Sequence, residues 1–392
     1  MIDTETRAPL QRVCYFGTYR SEYSRNRIMI EGLRQAGVQV IECHEQLWKG
    51  IPDRVEAASG GWLRPTFWWR VIRAYWRLLK RHRQIQDYDV MVVGYPGQLD
   101  VFLARILTRR RRKPLVWDVF MSIYLIAVER GLEQRSRISV NLLKSVERRA
   151  LNKPDLLIQD TQAYVGWFEK TYGISPDRFR LVPTGADDRV YQPQAYEQKD
   201  DIFQILYYGT FIPNHGIDQM IASAGLLAND PSIHFSFIGD GPEREAAQAR
   251  AAQLGLNNVE FLPWMEQAEL TKQAAWADII LGAFGTTPQS LMTVQNKIFE
   301  GLAMGKAVIT GDSPAIRAAM RHEEHVFLCE RENPHALAEA ILSIKNDPKL
   351  QQKLSENGYN LFIETYNLTH IGQGFSTHLC ELVQHSRAAS RL

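Results

Sequence analysis

Short apolar runs alternate with helical segments along the first half of this chain, and this alternation restricts its fold more than any other feature. Apolar runs predict strands at Arg12–Phe16, Val38–Cys43, Val90–Val93, Leu115–Trp117 and Leu156–Gln159. Helical patterns lie between them, notably at Arg25–Gln35, Leu99–Leu107 and Ser136–Leu151. Strands that are separated by helices of this length predict an α/β fold with a parallel sheet and right-handed crossovers.

The alternation stops at residues 183–200 (PTGADDRVYQPQAYEQKD), which are predicted to form a linker, and then starts again. The later strands are predicted at Ile202–Tyr208, Ile233–Ile238, Val259–Leu262, Asp278–Leu281 and Ala307–Thr310. The later helices are predicted at Gln219–Ala228, Glu243–Leu254, Ala268–Ala275, His335–Lys345 and Lys349–Tyr366. Because 392 residues exceed what one hydrophobic core usually serves, we expect two Rossmann-like domains, residues 1–190 and 200–370.

Glycine-rich turns follow several of these strands, at Gly17, Gly94 to Gly97, Gly209 and Gly239 to Gly241. Open parallel sheets bind ligands beyond the carboxyl ends of their strands, and glycine lets a backbone approach closely. We therefore expect a ligand cleft between the two domains. No GxGxxG opens a helix directly after the first strand, and no GxxxxGK[ST] occurs, which disfavours dinucleotide oxidoreduction and P-loop chemistry.

The segment Asn296–Gly305 (NKIFEGLAMG) predicts a short helix that Asn296 caps and Gly305 stops, with a buried strand directly after it. The N-terminus of a helix offers unpaired N–H groups and a partial positive charge, which suit a diphosphate. Lys297 adds a full charge there, and Glu300 stands where it could accept hydrogen bonds from sugar hydroxyls. Taken alone, the segment is more typical of a capped surface helix.

Three runs together resemble the C-terminal domain of GT-B glycosyltransferases of family 4, in both order and spacing. They are YYGTFIPNHGID (207–218), FIGDGPERE (237–245) and NKIFEGLAMGKAVIT (296–310). RLVPTGADDRVYQP (180–193) resembles the segment that ends the acceptor domain of that family. The resemblance implies a GT-B fold and a retaining transfer of a sugar from a nucleotide-sugar co-substrate, without a cofactor or bound metal.

The resemblance also implies roles for individual residues. Gly209 and Thr210 would approach the donor diphosphate, with Asn296 and Lys297 at the same end. The loop Gly239–Gly241 would border the nucleobase and ribose. Glu300 would hold ribose or sugar hydroxyls, and it is one of two candidate catalytic residues. Gly17 would close over the phosphates from the first domain, to which a last helix near Gly374–Gln384 (within 371–392) would return.

The sequence departs from the commoner family pattern at two positions. His215 replaces the usual basic residue of the first loop, and Met292 stands where an acid is expected eight positions before Glu300. Lys297 is expected to supply the missing phosphate charge. Two alternatives stay open: a GT-B nucleotide-sugar epimerase, and a non-catalytic basic membrane- or nucleic-acid-binding module on the same fold, which the departure at Met292 favours.

Asp118, at the end of a predicted strand, is the second candidate catalytic residue, as a base or an acceptor-orienting carboxylate. The alternative is that Asp118 caps a helix from Met121. His215 could act as a base, although a loop histidine more often positions other groups through hydrogen bonds.

Residues 62–83 (WLRPTFWWRVIRAYWRLLKRHR) combine tryptophans with a basic stripe. This composition is typical of a helix that lies on an anionic membrane. Residues 1–150 carry 27 basic and 15 acidic side chains, which fits the same partner. The alternative is an ordinary amphipathic helix that packs on the sheet. Nucleic acid is not expected as a partner, because no recognisable reading motif is present.

Cellular location and acceptor follow from these features. The four cysteines are far apart, no signal-peptide core is visible near the N-terminus, and no apolar run reaches the length of a membrane-spanning helix. We therefore expect a cytoplasmic protein that is peripheral on the inner face of the cell membrane. Its acceptor is expected to be a lipid-linked glycan, a glycolipid or a growing surface glycan.

Overall fold

The computed structural model describes residues 10–47, 64–195 and 202–389. The chain divides into two compact units. Within the described residues, unit 1 comprises the chain up to Pro183 and again from Thr369, and unit 2 is Thr184–Leu368.

Unit 1 contains a six-stranded sheet in which every recorded pairing is parallel. Its strands are β1 (Arg12–Gly17), β2 (Gln39–His44), β3 (Val90–Val93), β4 (Leu115–Asp118), β5 (Leu156–Gln159) and β6 (Phe179–Leu181). The order across the sheet is β2-β1-β3-β4-β5-β6. Strands β3, β4 and β5 are buried along their whole length, as expected for parallel strands that helices cover on both faces.

The helices of unit 1 occupy the crossovers between these strands. They are α1 (Ser24–Gln35), α2 (Pro65–Gln84), α3 (Asp100–Arg111), α4 (Ile123–Glu129), α5 (Leu132–Arg135), α6 (Arg137–Leu151) and α7 (Gln162–Tyr172).

Unit 2 repeats the architecture with a second parallel six-stranded sheet. Its strands are β7 (Phe203–Thr210), β8 (Ile233–Asp240), β9 (Val259–Leu262), β10 (Ile279–Leu281), β11 (Ala307–Gly311) and β12 (Phe327–Cys329). The order is β12-β11-β10-β7-β8-β9, so the connection reverses direction between β9 and β10. The register places Gly209 beside Gly239, which brings two glycine turns to the same edge.

The helices of unit 2 lie between and after these strands in the chain. They are α8 (Ile217–Leu226), α9 (Arg244–Gln253), α10 (Gln267–Trp276), α11 (Pro288–Met292), α12 (Asn296–Ala303), α13 (Pro314–Ala319), α14 (Pro334–Asn346) and α15 (Pro348–Leu361). None of the described helices in either unit is both long and apolar enough to cross a membrane.

The last helix, α16 (Leu368–Ala389), belongs to unit 1 from Thr369 onward. It packs closely on α1, since a Cβ on Gly372 would lie 1.8 Å from the carbonyl oxygen of Gly32. The hydroxyl of Thr369 also donates to Gln35 Oε1 at 2.9 Å. Unit 1 is therefore built from two segments, one before and one after unit 2 in the chain.

The linker and two of the strands differ from the sequence-based predictions. The predicted linker 183–200 is wrong in its first part, because Thr184 and Asp187 are buried in unit 2 and Ala186 N donates to Tyr366 O at 3.2 Å. Residues 196–201 lie outside the described residues. Strands β6 and β12 were not predicted, because each has only three residues and lies at a sheet edge.

Candidate functional site

Two glycine turns meet at the carboxyl ends of β7 and β8, where positive backbone φ angles require glycine. Gly209, Gly239 and Gly241 have φ angles of 138°, 136° and 151°. A Cβ on Gly239 would lie 2.0 Å from Gly209 O, and one on Gly241 would lie 2.6 Å from Phe211 N. The glycines at 239 and 241 are therefore required by the packing of the protein itself, independently of any ligand.

Lys297, in the first turn of α12, reaches the same edge and is 5% exposed. Its Nζ lies 4.0 Å from the centroid of the Tyr207 ring and 3.4 Å from His215 Nδ1. A Cβ on Gly209 would come within 3.1 Å of this Nζ, so the absence of a side chain at position 209 leaves space beside the ammonium group. Burial lowers the pKa of Lys297 to about 7, although the nearby Glu300 opposes the change.

His215 is held by groups at the end of β7. Its Nδ1 lies 2.7 Å from Thr210 O and 2.8 Å from the Tyr207 hydroxyl. Because a carbonyl only accepts, we assign the proton to Nδ1, which leaves Nε2 unprotonated. Burial, followed by the charge of Lys297, holds the pKa of His215 well below its usual value. The imidazole is therefore neutral and does not supply the positive charge of the usual basic residue.

Helix α12 differs from the predicted capped surface helix. It begins at Asn296 after Gln295, and neither residue caps it through a side chain, so the prediction that Asn296 is the cap is wrong. Every residue from Lys297 to Ala303 is buried, so the surface-helix alternative is also wrong. The prediction that Gly305 stops the helix is confirmed by its φ of 65° directly after the C-cap, Met304.

Glu300 lies one turn after Lys297 and is 7% exposed. Its carboxylate helps to raise the pKa of Tyr208, after the larger effect of burial. The Tyr208 hydroxyl in turn lies 3.4 Å from Lys297 O. The structure thus brings Gly209, Thr210, His215, Lys297 and Glu300 together at one edge of unit 2.

In unit 1, Asp118 at the end of β4 forms a fully buried ion pair with Arg25 of α1. Arg25 Nη2 lies 2.9 Å from Asp118 Oδ1, Nε lies 2.9 Å from Oδ2, and both side chains are 0% exposed. Arg25 Nη1 also donates to the carbonyls of Val182 and Pro183. The helix-cap alternative for Asp118 is wrong, because Ser122 caps α4 by accepting from Leu125 N. A contact between Asp118 and an acceptor stays a prediction.

Asp160, which the sequence reasoning missed, directly follows β5, the neighbour of β4. Both of its carboxylate oxygens are buried without a hydrogen-bond partner in the described structure. Burial raises its pKa to about 7, which Arg25 opposes. An acid that directly follows a buried strand was the available signal, since such a residue lies at the carboxyl edge of the sheet.

Gly17 closes β1 with a φ of 138°. A Cβ there would lie 2.7 Å from Asp100 Oδ2, the oxygen that accepts from Thr18 N at 2.7 Å. This packing accounts for the glycine, and its contact with donor phosphates stays a prediction.

Helix α2 corresponds to most of the basic, tryptophan-rich segment, whereas Trp62 and Leu63 lie outside the described residues. One face is buried against unit 1, as the packing alternative predicts; it consists of Val71, Ala74, Leu78 and His82. A second face carries large exposed apolar side chains, namely Trp68 (45% exposed), Trp69 (59%), Ile72 (65%) and Trp76 (63%). The helix therefore has two apolar faces, and packing accounts for only one.

Cations border the exposed face of α2. The Arg73 guanidinium lies 5.2 Å from the Trp69 ring centroid, and Lys80 Nζ lies 5.9 Å from that of Trp76. Arg77 and Arg81 instead pair with Glu45, at 3.5 and 2.9 Å. Part of the predicted basic stripe is thus used within unit 1.

Comparison with known proteins gives family matches to both halves of the chain. Residues 27–190 match the model described as Glycosyltransferase Family 4, and residues 189–361 match Glycosyl transferases group 1. The lipopolysaccharide core biosynthesis glycosyltransferase LpsD of Rhizobium meliloti is 28% identical over 40% of this chain. That similarity spans 43% of the relative's own length.

Solved structures match nearly the whole chain. Sucrose-phosphate synthase from Thermosynechococcus elongatus has a TM-score of 0.72 at 16% identity, over 97% of this chain and 100% of that one. The Anabaena protein HepE, in a complex with UDP-glucose, has a TM-score of 0.64 at 16% identity, over 95% and 100% of the two chains. The two parallel sheets and these matches show that the chain belongs to the group 1 glycosyltransferases, with a GT-B fold.

Proposed function

We propose that this glycosyltransferase moves a sugar from a nucleotide-sugar donor to a lipid-linked or growing surface glycan, with retention of configuration and without a bound metal. The observation that carries the proposal is Lys297, a buried ammonium group at the carboxyl end of β7 that faces the side-chain-free Gly209. The complex of HepE with UDP-glucose supports a nucleotide-sugar as the donor.

The donor would bind with its diphosphate at Lys297 and the first turn of α12. The bond between the sugar C1 and the diphosphate oxygen breaks, a bond from C1 to the acceptor oxygen forms, and the departing diphosphate oxygen takes up the proton of the acceptor hydroxyl. Negative charge develops on the departing nucleoside diphosphate. Lys297 and the N–H groups of α12, which have no side-chain cap, would stabilise that charge. Glu300 would accept hydrogen bonds from ribose or sugar hydroxyls.

A panel of UDP-, GDP-, ADP- and dTDP-sugars, tested by thermal shift, would examine this proposal. A ligand that binds only the folded protein raises its unfolding temperature. We expect one nucleotide class to stabilise the protein and the others to leave it unchanged. Absence of a shift with every donor at millimolar concentration would contradict the proposal.

Release of free nucleoside diphosphate distinguishes transfer from the epimerase alternative. A transferase releases it in proportion to the glycan acceptor supplied, whereas an epimerase converts the nucleotide-sugar without acceptor. Conversion of the donor in the absence of acceptor would therefore favour the epimerase.

Binding of donor is expected to weaken as the pH rises above about 7, the pKa of free Lys297. A bound diphosphate favours the ammonium form, so the pKa of Lys297 rises in the complex and a proton is taken up. Each pH unit above the free pKa then costs up to about tenfold in affinity. Calorimetric titration with the stabilising nucleotide-sugar at pH 8 measures the number of protons taken up on binding, when it is repeated in two buffers of different ionisation enthalpy. The Lys297→Arg variant keeps its charge at this pH, so it should bind donor without proton uptake. Equal proton uptake in both proteins would exclude Lys297 as the group that takes up the proton.

The exposed face of α2 is proposed to bind an anionic membrane surface, which would bring the enzyme to a lipid-linked acceptor. Trp69 and Trp76 would enter the headgroup region while Arg73 and Lys80 face the lipid phosphates. The name of LpsD, which refers to lipopolysaccharide core biosynthesis, supports an acceptor of this class.

Replacing Trp69 and Trp76 together by serine is expected to reduce binding to phosphatidylglycerol-containing vesicles by about tenfold or more, since two interfacial aromatic anchors are lost. Trp264→Ser is the matched control, because Trp264 is 65% exposed and lies in unit 2. Co-sedimentation at low and high salt measures both proteins. Unchanged sedimentation of the double variant would rule out α2 as the anchor.

A further inference from the structure

Arg331, two residues beyond the end of β12, binds backbone carbonyls from two separate segments of unit 2. Its Nε donates to Asp312 O at 2.7 Å, and its Nη2 donates to Gly311 O at 2.9 Å. Its Nη1 donates to Gly285 O at 2.5 Å and to Ser290 Oγ at 3.0 Å. The rigid fork of the guanidinium thus connects the end of β11 with the segment that follows β10.

The segment that follows β10 contacts the turn Pro213–Gly216, which carries His215. Ser290 Oγ, which accepts from Arg331, donates its own proton to Asn214 O at 2.6 Å. Phe284 N donates to His215 O at 2.9 Å. Two hydrogen bonds therefore fix the backbone of this turn.

Two glycines allow these segments to touch along their backbones. A Cβ on Gly285 would lie 2.0 Å from Pro213 O, and one on Gly216 would lie 2.7 Å from Gly285 N. Such close packing means that a displacement of the segment after β10 must displace the turn as well.

The turn Pro213–Gly216 sets the position of His215 beside Lys297. His215 Nδ1 lies 3.4 Å from Lys297 Nζ and 2.7 Å from Thr210 O. A continuous series of hydrogen bonds and close contacts therefore runs from Arg331 through Ser290 and the turn to the proposed diphosphate site.

The guanidinium of Arg331 forms its hydrogen bonds with carbonyl oxygens and one hydroxyl, while the Asp312 carboxylate acts on its charge from nearby. Burial lowers its pKa to about 10, so it is charged at neutral pH. The structure records no ion pair between Arg331 and a carboxylate of the described residues. A charged donor forms stronger hydrogen bonds with carbonyls than a neutral one does, which suits a side chain that holds loops in place.

We propose that Arg331 is a positioning residue of the donor site, which holds the segment after β10 against Pro213–Gly216 and so fixes His215 beside Lys297. The proposal rests on the proposed function for the identity of the ligand. Arg331 needs no contact with the donor, since four of its five N–H groups already bind protein atoms.

Arg331→Met and Ser290→Ala test this proposal. The ligand is the nucleotide-sugar that stabilises the wild-type protein most in the thermal-shift panel, and its dissociation constant is measured for each variant. We expect each change to weaken its binding by about tenfold, because each breaks the link to the turn. The double variant should bind about as weakly as Arg331→Met, since both residues act through one path. Hydrogen exchange of the amides at residues 211–218 should become faster in all three proteins.

Arg317→Met is the matched control, because Arg317 is exposed and pairs with the carboxylate of Asp312 rather than with the loop carbonyls. It should bind the same nucleotide-sugar as tightly as the wild type. If Arg331→Met does not fold, Ser290→Ala decides alone. Wild-type affinity together with wild-type exchange at 211–218 in Ser290→Ala would overturn the proposal. A wild-type protein that binds no nucleotide-sugar would instead contradict the proposed function.

Discussion

Replacing Lys297 by alanine is expected to reduce turnover by roughly 10²–10³-fold, the usual effect of removing one preorganised group that stabilises transition-state charge. The ammonium group is buried beside Gly209 and has the Tyr207 ring and His215 around it. Its loss leaves the developing charge of the diphosphate to the N-terminus of α12 alone. Initial rates of nucleoside diphosphate release, measured with saturating donor, provide the test.

Lys306→Ala is a suitable control for this experiment. Lys306 is a second lysine of the same region, but its Nζ donates to Ala275 O at 2.6 Å. We expect near wild-type rates for it, and for Lys297→Arg a rate between those of the alanine variant and the wild type. Glu300→Ala should also lose turnover while it stays folded. Near wild-type rates in both Lys297→Ala and Glu300→Ala would show that the donor site has been placed wrongly.

Removing one partner of the buried Arg25–Asp118 pair should destabilise unit 1 by about 3–5 kcal/mol, the usual cost of leaving one buried charge uncompensated. Asp118→Ala strands the Arg25 guanidinium, which is 0% exposed. The double change Arg25→Met with Asp118→Ala should cost less than Asp118→Ala alone, because the guanidinium is removed together with its partner.

Hydrogen exchange is the appropriate measurement for this pair, because two units need not unfold as one cooperative system. Amides of β4 and β5 should exchange faster in Asp118→Ala, while those of β10 and β11 in unit 2 provide an internal reference. Equal exchange in β4 for the wild type and Asp118→Ala would contradict a stabilising role. Loss of transfer without any change in exchange would favour a direct contact between Asp118 and the acceptor.

Periodicity in the sequence predicted the observed bounds of three strands: Val90–Val93 and Leu156–Gln159, which are buried, and Val259–Leu262, which is partly buried. A continuous apolar run flanked by polar residues leaves little freedom in where a buried strand begins and ends. Helix α7, Gln162–Tyr172, was not predicted, because its pattern contains Gly166 and many aromatic residues of modest helix propensity. The three-residue edge strands depend on pairing with neighbours, which a local pattern does not contain.

The candidate site was predicted in part. The resemblance to the family indicated Gly209, His215, Lys297 and Glu300, which lie at one edge of unit 2, whereas the neutral state of His215 depends on burial. Arg331 had no local signal at all, because its partners Gly285 and Ser290 lie more than forty positions earlier in the chain. The functional assignment of the two predicted domains stays a prediction.

Because α16 follows unit 2 in the chain but completes unit 1, the order of synthesis does not match the order of assembly. Unit 2 is contiguous and can fold on the ribosome as soon as residue 368 has emerged. The surface of α1 around Gly32 stays uncovered until Gly372 has been synthesised, which happens after the whole of unit 2. Nascent chains that stop before residue 369 should therefore present a folded second unit and an open first one, the form on which chaperones and proteases would act.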